Sequence, residues 1–396
     1  MKNPELSGDQ IKKWFGRGFL SISDQVIYSG SNFVLIIFLA RWLDPVDFGA
    51  FSVTYALTSF FYQLHNGLIC EPMNVLGPAN YPEFKTDYVR VQTKLHFLLT
   101  AAIGLTLITV ILIFHNLIQP GTLNILFVFL GAATPFLLLP WLIRRSFYFL
   151  KKPLMAALTS LQYAIFLLVI LFIARQVFEL GATSVYIIMV VAAALSSAMF
   201  FIFTQRHKGR EKPNLREVLT HNWQYGKWIM LNGLLVSLAI QIQLFITGSF
   251  LGLEEAGAFK VLQNFNQPMV VIISGLSFLF LPSFASQIQS NQVETIRKRG
   301  RWITLVTAAL AAGYFGMLWF LRGPLELLLY DGKYQAYIDL IPLLGIVPMI
   351  SALSLGPSIL IRAYQKPQAL LIVGIVWSIT NILTSFLFIH YWGILG

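Results

Sequence analysis

The sequence has a single cysteine, Cys70, among its 396 residues. An intrachain disulfide and a metal cluster held by cysteines are therefore excluded. The sequence has no HExxH motif and no glycine-rich phosphate-binding motif. Metal chemistry and nucleotide hydrolysis thus have no support, and we expect no cofactor. The polar residues 1–10 are not followed by a short apolar core with a cleavage site, so we expect no cleavable signal peptide.

Charged residues are also scarce. They make up 11% of the chain, and 57% of the residues are apolar, whereas soluble domains are about 25% charged and about 45–50% apolar. No soluble fold of this length covers so much apolar surface. The composition therefore excludes a soluble enzyme, a nucleic-acid-binding protein and a secreted disulfide scaffold, and it predicts a protein that lies in a bilayer. We interpret the net charge of +11 as a sign of membrane topology.

Apolar runs separated by charged or turn residues predict an all-α polytopic membrane protein with about eleven transmembrane helices. The runs show no sustained alternation of apolar and polar residues, so we expect no barrel strands. The predicted spans are 18–40, 50–72, 95–114, 123–143, 154–174, 181–204, 226–251, 256–284, 302–321, 337–361 and 368–392.

Lysine and arginine alternate between the two sides of these spans. The N-terminal tail and the even-numbered loops hold 23 of the 28 basic residues, and the odd-numbered loops hold the other 5. Because basic residues collect in cytoplasmic loops, this distribution predicts a cytoplasmic N-terminus. Eleven spans then place the C-terminus outside.

Short sequence matches indicate an internal repeat. Residues 49–51, Gly-Ala-Phe, return at 257–259, an offset of 208, and the Lys-Pro pair at 152–153 returns at 366–367. The second copy begins at the seventh span, so both copies have the same orientation, as in transporters that rock one half against the other. We predict a six-helix lobe over 1–204, a cytoplasmic linker over 205–225 and a five-helix lobe over 226–396. The second lobe is one helix short, which indicates a truncated or naturally short C-terminus.

The segment ARWLDPVDFGAF, residues 40–51, follows a first helix that carries Gln25 and Asn32. This stretch resembles the polysaccharide transporter family, the Wzx-type flippases of the multidrug/oligosaccharidyl-lipid/polysaccharide exporter superfamily. The resemblance implies a flippase that moves polyprenyl-diphosphate-linked oligosaccharide, a unit of O-antigen, capsule or exopolysaccharide, across the bacterial plasma membrane. It also implies bilayer lipid as surroundings, and a polysaccharide polymerase and glycosyltransferases as partners. The family usually has twelve or fourteen helices, so this chain departs from it by ending at eleven.

A polar stripe marks the eighth predicted span. The spacing i, i+3, i+4, i+7 places four polar side chains on one helix face. We predict that they line a cavity, where the ammonium contacts the diphosphate and the amides bond sugar hydroxyls. The alternative for the lysine is that it reaches the membrane surface from near the helix end. The four residues are Lys260, Gln263, Asn264 and Gln267.

The equivalent face of the second span carries Tyr55, Ser59 and Tyr62. At the offset of 208, Tyr55 corresponds to Gln263 and Ser59 to Gln267, so both copies keep a polar stripe. We predict that these three residues bind substrate. Hydrogen bonding between helices is the alternative, above all for the two tyrosines.

Two carboxylates are candidates for coupling transport to a proton or sodium ion. Asp24 lies in the first span and Glu71 near the inner end of the second. The alternative for Asp24 is a pair at headgroup level with Lys12, Lys13 or Arg17, and the alternative for Glu71 is an interfacial position. His65 is more often a buried hydrogen-bonding residue than a ligand.

The leading function is therefore transport, and we expect no catalytic residue. The first alternative is a drug/cation antiporter of the same superfamily, which favours apolar and acidic residues in its cavity. The second is a membrane-embedded glycan polymerase or ligase, which needs catalytic residues on a sizeable external loop. The longest external connection, about 321–337, holds Glu326, Asp331 and Lys333 without a recognisable pair. A scaffold without transport activity would not need polar stripes at equivalent positions of the repeat.

Overall fold

The computed structural model describes residues 8–114, 122–205, 213–289, 293–363 and 367–395. In these ranges the chain is helical and contains no strand, as the sequence predicted. Within these ranges, eleven helical rods occupy the predicted spans. They are α1, Gly8–Trp42; α2, Pro45–His65 continued by Asn66–Cys70 and Glu71–Val75; α3, Lys85–Phe114; α4, Thr122–Leu137 and Leu139–Phe149; α5, Pro153–Val177; α6, Ala182–Gln205; α7, Leu215–Phe250; α8, Leu253–Asn264 and Gln267–Gln289; α9, Val293–Tyr330; α10, Leu340–Leu344 and Ile346–Ala363; and α11, Pro367–Trp392.

Most of these rods are long and apolar enough to cross a bilayer. Among the described residues, eight helices meet that requirement. Two other rods, α6 and α8, contain the shorter apolar helices Ala182–Ala198 and Gln267–Ser277. Because the helices follow one another through short connections, the expectation of an all-α multi-pass membrane protein is confirmed.

Local sequence sets where the rods begin. Pro45 and Pro153 occupy the first position of α2 and α5, where a helix has no use for a backbone N–H donor. Before α2, Asp44 accepts a hydrogen bond from the backbone N–H of Val46 at 3.0 Å. Between α7 and α8 the chain turns at Gly252, whose φ of +117° favours glycine.

The chain forms two compact units. Unit 1 comprises residues 1–32 and 54–237, and unit 2 comprises residues 33–53 and 238–396. The end of α1 and the start of α2 thus pack with the second half of the sequence, and the first part of α7 packs with the first half. The lobe boundaries at 204 and 226 follow the repeat and not this packing, and they stay a prediction.

Unit 1 combines an apolar core with buried amide pairing. Met73, Leu142 and Phe147 belong to one cluster of buried side chains. Beside it, the amides of Gln92 and Asn222 exchange two hydrogen bonds of 3.3 and 2.9 Å. Both side chains are fully buried, so this reciprocal pair satisfies polar groups that would otherwise cost free energy in an apolar interior.

In unit 2, charged groups fix the connection between α1 and α2. Arg41 forms a two-pronged ion pair with Asp331. The ammonium of Lys333 donates to the carbonyl oxygens of Ala40, at 3.3 Å, and of Leu43. The ammonium of Lys333 thus satisfies carbonyl groups in the last turn of α1 and just after it, where no partner exists within the helix.

Candidate functional site

The fourth rod extends further than the sequence predicted, and this changes the position of two arginines. Its second segment, Leu139–Phe149, carries Arg144 and Arg145. The predicted end of this span at residue 143, which left both arginines among the basic residues of the even-numbered loops, is wrong, because the helix continues through both. Arg144 is a buried helical residue with only 4% of its surface exposed.

Arg144 forms a buried ion pair with Asp24 of α1. Its Nε lies 2.8 Å from Oδ1 of Asp24, and its Nη2 lies 2.9 Å from Oδ2. Nη2 also donates to Oε1 of Gln25 at 3.2 Å. The carboxylate accepts two further hydrogen bonds, from the hydroxyl of Tyr148 at 2.6 Å and from the hydroxyl of Ser160. The partner of Asp24 is therefore Arg144, and the expected pairing with Lys12, Lys13 or Arg17 is corrected.

Aromatic rings surround the guanidinium. Its Cζ lies 4.4 Å from the ring centroid of Tyr28 and 5.0 Å from that of Trp141. Such cation–π contacts stabilise a desolvated cation by about 2 kcal/mol. One donor is left over, because the buried Nη1 has no hydrogen-bond partner among the described residues. The site therefore holds a cation whose charge is compensated but whose hydrogen-bonding capacity is not exhausted.

Two of the three predicted residues of α2 lie at this site. Tyr62 packs on Trp141, with ring centroids 4.4 Å apart, and its hydroxyl bonds to Arg145. Tyr55 donates to Oδ1 of Asn32 at 3.3 Å. Ser59 instead donates to the carbonyl oxygen of Ala56, in its own helix, at 2.8 Å. Tyr62 is therefore near the arginines, Tyr55 bonds to α1, and the serine is satisfied locally.

Glu71, the second candidate for ion coupling, is half-buried in the last segment of α2. Its charge acts on Arg145 and on the thiol of Cys70. Asp24, Glu71, Arg144 and Arg145 thus all belong to unit 1, and the two arginines are adjacent on α4.

The polar stripe of α8 does not form one continuous helix face. The first segment ends at Asn264, and Gln267 begins the second. Asn264 is buried and donates to the hydroxyl of Tyr330 at 3.2 Å. Lys260 and Gln263 are half-buried and Gln267 is exposed. The predicted single face is therefore wrong for Gln267, because the helix breaks before it.

Arg144, Tyr28 and Trp141 are members of the site that the sequence did not predict. A signal was present for Arg144 alone, because residues 142–144, Leu-Ile-Arg, recur at 360–362 in the second copy. The described residues contain no cluster of three or more His, Cys, Asp or Glu side chains suited to a metal ion.

Comparisons with known proteins place the chain in a family. The family model described as polysaccharide biosynthesis protein matches residues 38–339. No curated protein matches the chain significantly.

Several solved structures share the fold. An inward-facing multidrug resistance MATE family transporter of the MOP superfamily is 14% identical, with a TM-score of 0.78 over 95% of this chain and 92% of that one. A MATE protein in complex with MaL6 is 16% identical, with a TM-score of 0.68 over 95% and 90% of the two chains. A MOP superfamily transporter from Pyrococcus furiosus, described as having a binding pocket of reverse polarity that suggests a different function, is 14% identical, with a TM-score of 0.66 over 95% and 88%. The chain therefore belongs to the polysaccharide biosynthesis protein family and has the fold of the MOP superfamily transporters.

Proposed function

We propose that this protein is a flippase that moves polyprenyl-diphosphate-linked oligosaccharide across the bacterial plasma membrane by alternating access. The oligosaccharide is a repeat unit of O-antigen, capsule or exopolysaccharide. The N-terminus lies in the cytoplasm in this proposal. The membership in a polysaccharide biosynthesis family supports a substrate from that chemistry.

One observation carries the proposal: the buried Arg144 keeps the free donor Nη1 while its charge is held by Asp24. A diphosphate presents several anionic oxygens, and a guanidinium binds such oxygens through two parallel hydrogen bonds. In the proposed cycle, the diphosphate uses Nη1 first and then competes with Asp24 for the remaining donors. Arg144 therefore has an anionic partner at every stage of this cycle. An unpaired cation in an apolar interior would cost free energy.

The surrounding side chains suit the sugar part of the substrate. Tyr28, Tyr62 and Trp141 provide flat apolar faces together with polar edges. Gln25 contributes an amide, which is held by Arg144 and by Ser29, 3.1 Å from its Nε2. Aromatic faces and amide edges are complementary to the C–H faces and the hydroxyl groups of a saccharide.

The drug/cation antiporter is less well supported. An antiporter of that kind needs a carboxylate that is available to a cation. Asp24 is 1% exposed and accepts hydrogen bonds from Arg144, Tyr148 and Ser160. A cationic drug would have to displace an arginine from it, at a cost of about 3–5 kcal/mol for breaking a buried pair.

The glycan polymerase or ligase is also less well supported. The connection after α9 holds Asp331 and Asp339, and both are engaged in ion pairs, with Arg41 and Arg322. Glu326 lies inside α9 and accepts a hydrogen bond from the backbone N–H of Tyr334 at 2.8 Å. The acidic groups near this connection therefore have structural partners.

The experiment measures lipid-linked oligosaccharide in a deletion strain. We expect the glycolipid to accumulate on the cytoplasmic leaflet and the wild-type gene to clear it. Arg144→Lys should clear it partly, because the charge stays but the two-pronged geometry is lost. The double variant Asp24→Asn/Arg144→Gln, which leaves no unpaired charge, should insert normally and fail to clear it. Normal glycolipid distribution in the deletion strain would overturn the proposal.

A further inference from the structure

A chain of four hydrogen-bonding groups lies in unit 1 and takes no part in the proposed anion site. Nδ1 of His65 lies 3.6 Å from the sulfur of Cys70. Nε2 of His65 lies 2.9 Å from Nδ1 of His96. Nε2 of His96 lies 3.0 Å from the carbonyl oxygen of Pro135. The chain thus connects α2, α3 and α4.

The irregular segment of α2 explains why the thiol meets the imidazole. Residues Asn66–Cys70 form a π-helical turn that begins directly after His65. In an α-helix, residues five apart do not face each other, whereas a π-turn brings residues i and i+5 into line. Cys70 lies five residues after His65, so the π-turn places the thiol next to the ring.

When both rings are neutral, the chemistry of the end groups fixes every proton. A carbonyl oxygen only accepts, so Nε2 of His96 carries a hydrogen and donates to Pro135. In the neutral ring Nδ1 of His96 then accepts, and Nε2 of His65 must donate to it. Nδ1 of His65 accepts in turn, from the thiol of Cys70. In this neutral state both histidines carry their hydrogen on Nε2, and all donors point the same way.

The chain also holds one additional proton without losing a hydrogen bond. The incoming proton binds Nδ1 of His65, the Nε2–H bond of His65 breaks, and its proton bonds to Nδ1 of His96. His96 becomes an imidazolium that still donates to Pro135 and now donates to His65. The new N–H of His65 donates to the sulfur of Cys70, and the thiol hydrogen rotates away. One proton is gained and no other group changes its charge.

The pair is buried inside unit 1. Both imidazoles have no exposed surface. The ionisable neighbours on α2 are Cys70 and Glu71, and α4 contributes Arg145, whose charge reaches the thiol. The nearest charged residue along α3 is Lys94, which is exposed. Neither ring therefore exchanges a proton directly with bulk solvent.

We propose that the His65–His96 pair is the proton-coupling site of transport, an inference that rests on the proposed flippase function. His96 donates a hydrogen bond to the carbonyl oxygen of Pro135, in the first segment of α4. Arg144 and Arg145 lie in the second segment, after the break at Leu138. A charged donor makes a hydrogen bond roughly twice as strong as a neutral one. Protonation of His96 thus strengthens its bond to the first segment and biases the angle at which the second segment presents the two arginines.

The first test follows the protons directly, by ¹⁵N NMR of the full-length protein with labelled histidines in lipid nanodiscs. We expect both rings in the Nε2–H form at neutral pH and one doubly protonated ring after acidification. A hydrogen on Nδ1 of His96 in the neutral form would overturn the chain. Two rings that stay neutral down to the pH of unfolding would overturn the coupling site. This test does not require flipping.

The second test measures flipping of a fluorescent short-chain polyprenyl-diphosphate disaccharide in proteoliposomes, with and without a pH gradient. We expect the gradient to accelerate the wild type severalfold and to have no effect on His96→Gln, which still donates to Pro135, or on His96→Asn, which still accepts from His65. His221→Gln serves as the matched control and should keep the acceleration. A full gradient response in either His96 variant overturns this inference, whereas absence of flipping by the wild type overturns the proposed function.

Discussion

Gly49 and Gly257 occupy equivalent positions in the two copies of the repeat, and each packs against the helix start of the other copy. A Cβ on Gly49 would overlap the carbonyl of Leu253, and a Cβ on Gly257 would lie 3.2 Å from the carbonyl oxygen of Pro45. At the offset of 208, Pro45 is the equivalent of Leu253. The contact is therefore reciprocal, as at a twofold axis, and it relates the two copies of the repeat within unit 2.

The close contact at Gly49 predicts that an added methyl group lowers stability more there than at an open glycine. Gly49→Ala should lower the melting temperature clearly, because backbone atoms of Leu253 must move and overpacking costs about 1–3 kcal/mol. Gly313→Ala is the control, since nothing lies within 4 Å of its Cβ position. Thermal unfolding in detergent measures both. Equal melting temperatures for the two variants would contradict the reciprocal contact.

The buried pair in unit 1 predicts non-additive stability. Asp24→Asn and Arg144→Gln should each destabilise the protein by about 3–5 kcal/mol, because each leaves an uncompensated buried partner. The double variant should recover a large part of that loss. Glu294→Gln is the control, because its pair with Lys298 is exposed and contributes little. A thermal double-mutant cycle checks this, and strictly additive losses would show that the pair is not coupled.

Lys260 is predicted to contact the anionic part of the substrate. Lys260→Gln should lower surface polysaccharide strongly at equal membrane abundance, and Lys260→Arg should keep part of the activity, because the charge survives. Ser52→Ala, at the equivalent position, should be close to neutral, since Ser52 donates to Phe48 in its own helix. Lys298→Gln is the exposed control. Normal polysaccharide from Lys260→Gln would remove Lys260 from the mechanism.

The ion pair between Arg41 and Asp331 predicts a transport effect with little change in stability. Both side chains are at least one-third exposed, and such pairs contribute about 0–1 kcal/mol. Arg41→Asp and Asp331→Arg should each impair polysaccharide export. Each change places two like charges opposite each other, and their repulsion pushes the α1–α2 connection away from the turn after α9. The charge-swapped double variant should recover export. Failure of the swap with normal insertion would argue against a role for the pair.

Membrane topology stays a prediction from charge, and labelling checks it. In a Cys70→Ser background, Gln335→Cys should react with an impermeant thiol reagent on intact cells, because Gln335 is exposed and lies in a connection that the charge distribution predicts to be external. Gly209→Cys, in the predicted cytoplasmic linker, should react only after permeabilisation. Strong labelling of Gly209→Cys on intact cells would contradict a cytoplasmic N-terminus.

The sequence predicted the rods well because apolar length determines membrane spans. The predicted helix end was wrong where a helix continues beyond its apolar run. Arg144 was assigned to a loop because a charge normally ends a span, yet Asp24, Tyr28 and Trp141 provide a buried environment for it. Such partners come from distant parts of the sequence, so the pattern near residue 144 gave no indication of them.

The broken stripe of α8 has a cause that was visible in the sequence. Pro268 has no N–H to donate to the carbonyl of Asn264, and its ring disfavours a continuous helix at that point. The spacing of the four polar residues predicts a single face only if the helix is uninterrupted. Periodicity alone therefore predicted that Gln267 shares a face with the other three residues, although the first helical segment ends at Asn264.

The division of the chain into units has a consequence for biogenesis. Residues 33–53 pack in unit 2, and Asp331 follows its partner Arg41 by 290 positions. The ribosome must therefore complete most of the protein before the connection between α1 and α2 finds its stabilising contacts. Until then, insertion leaves this early hairpin without its final neighbours, so a nascent chain arrested before α9 should expose it to proteases and quality-control factors.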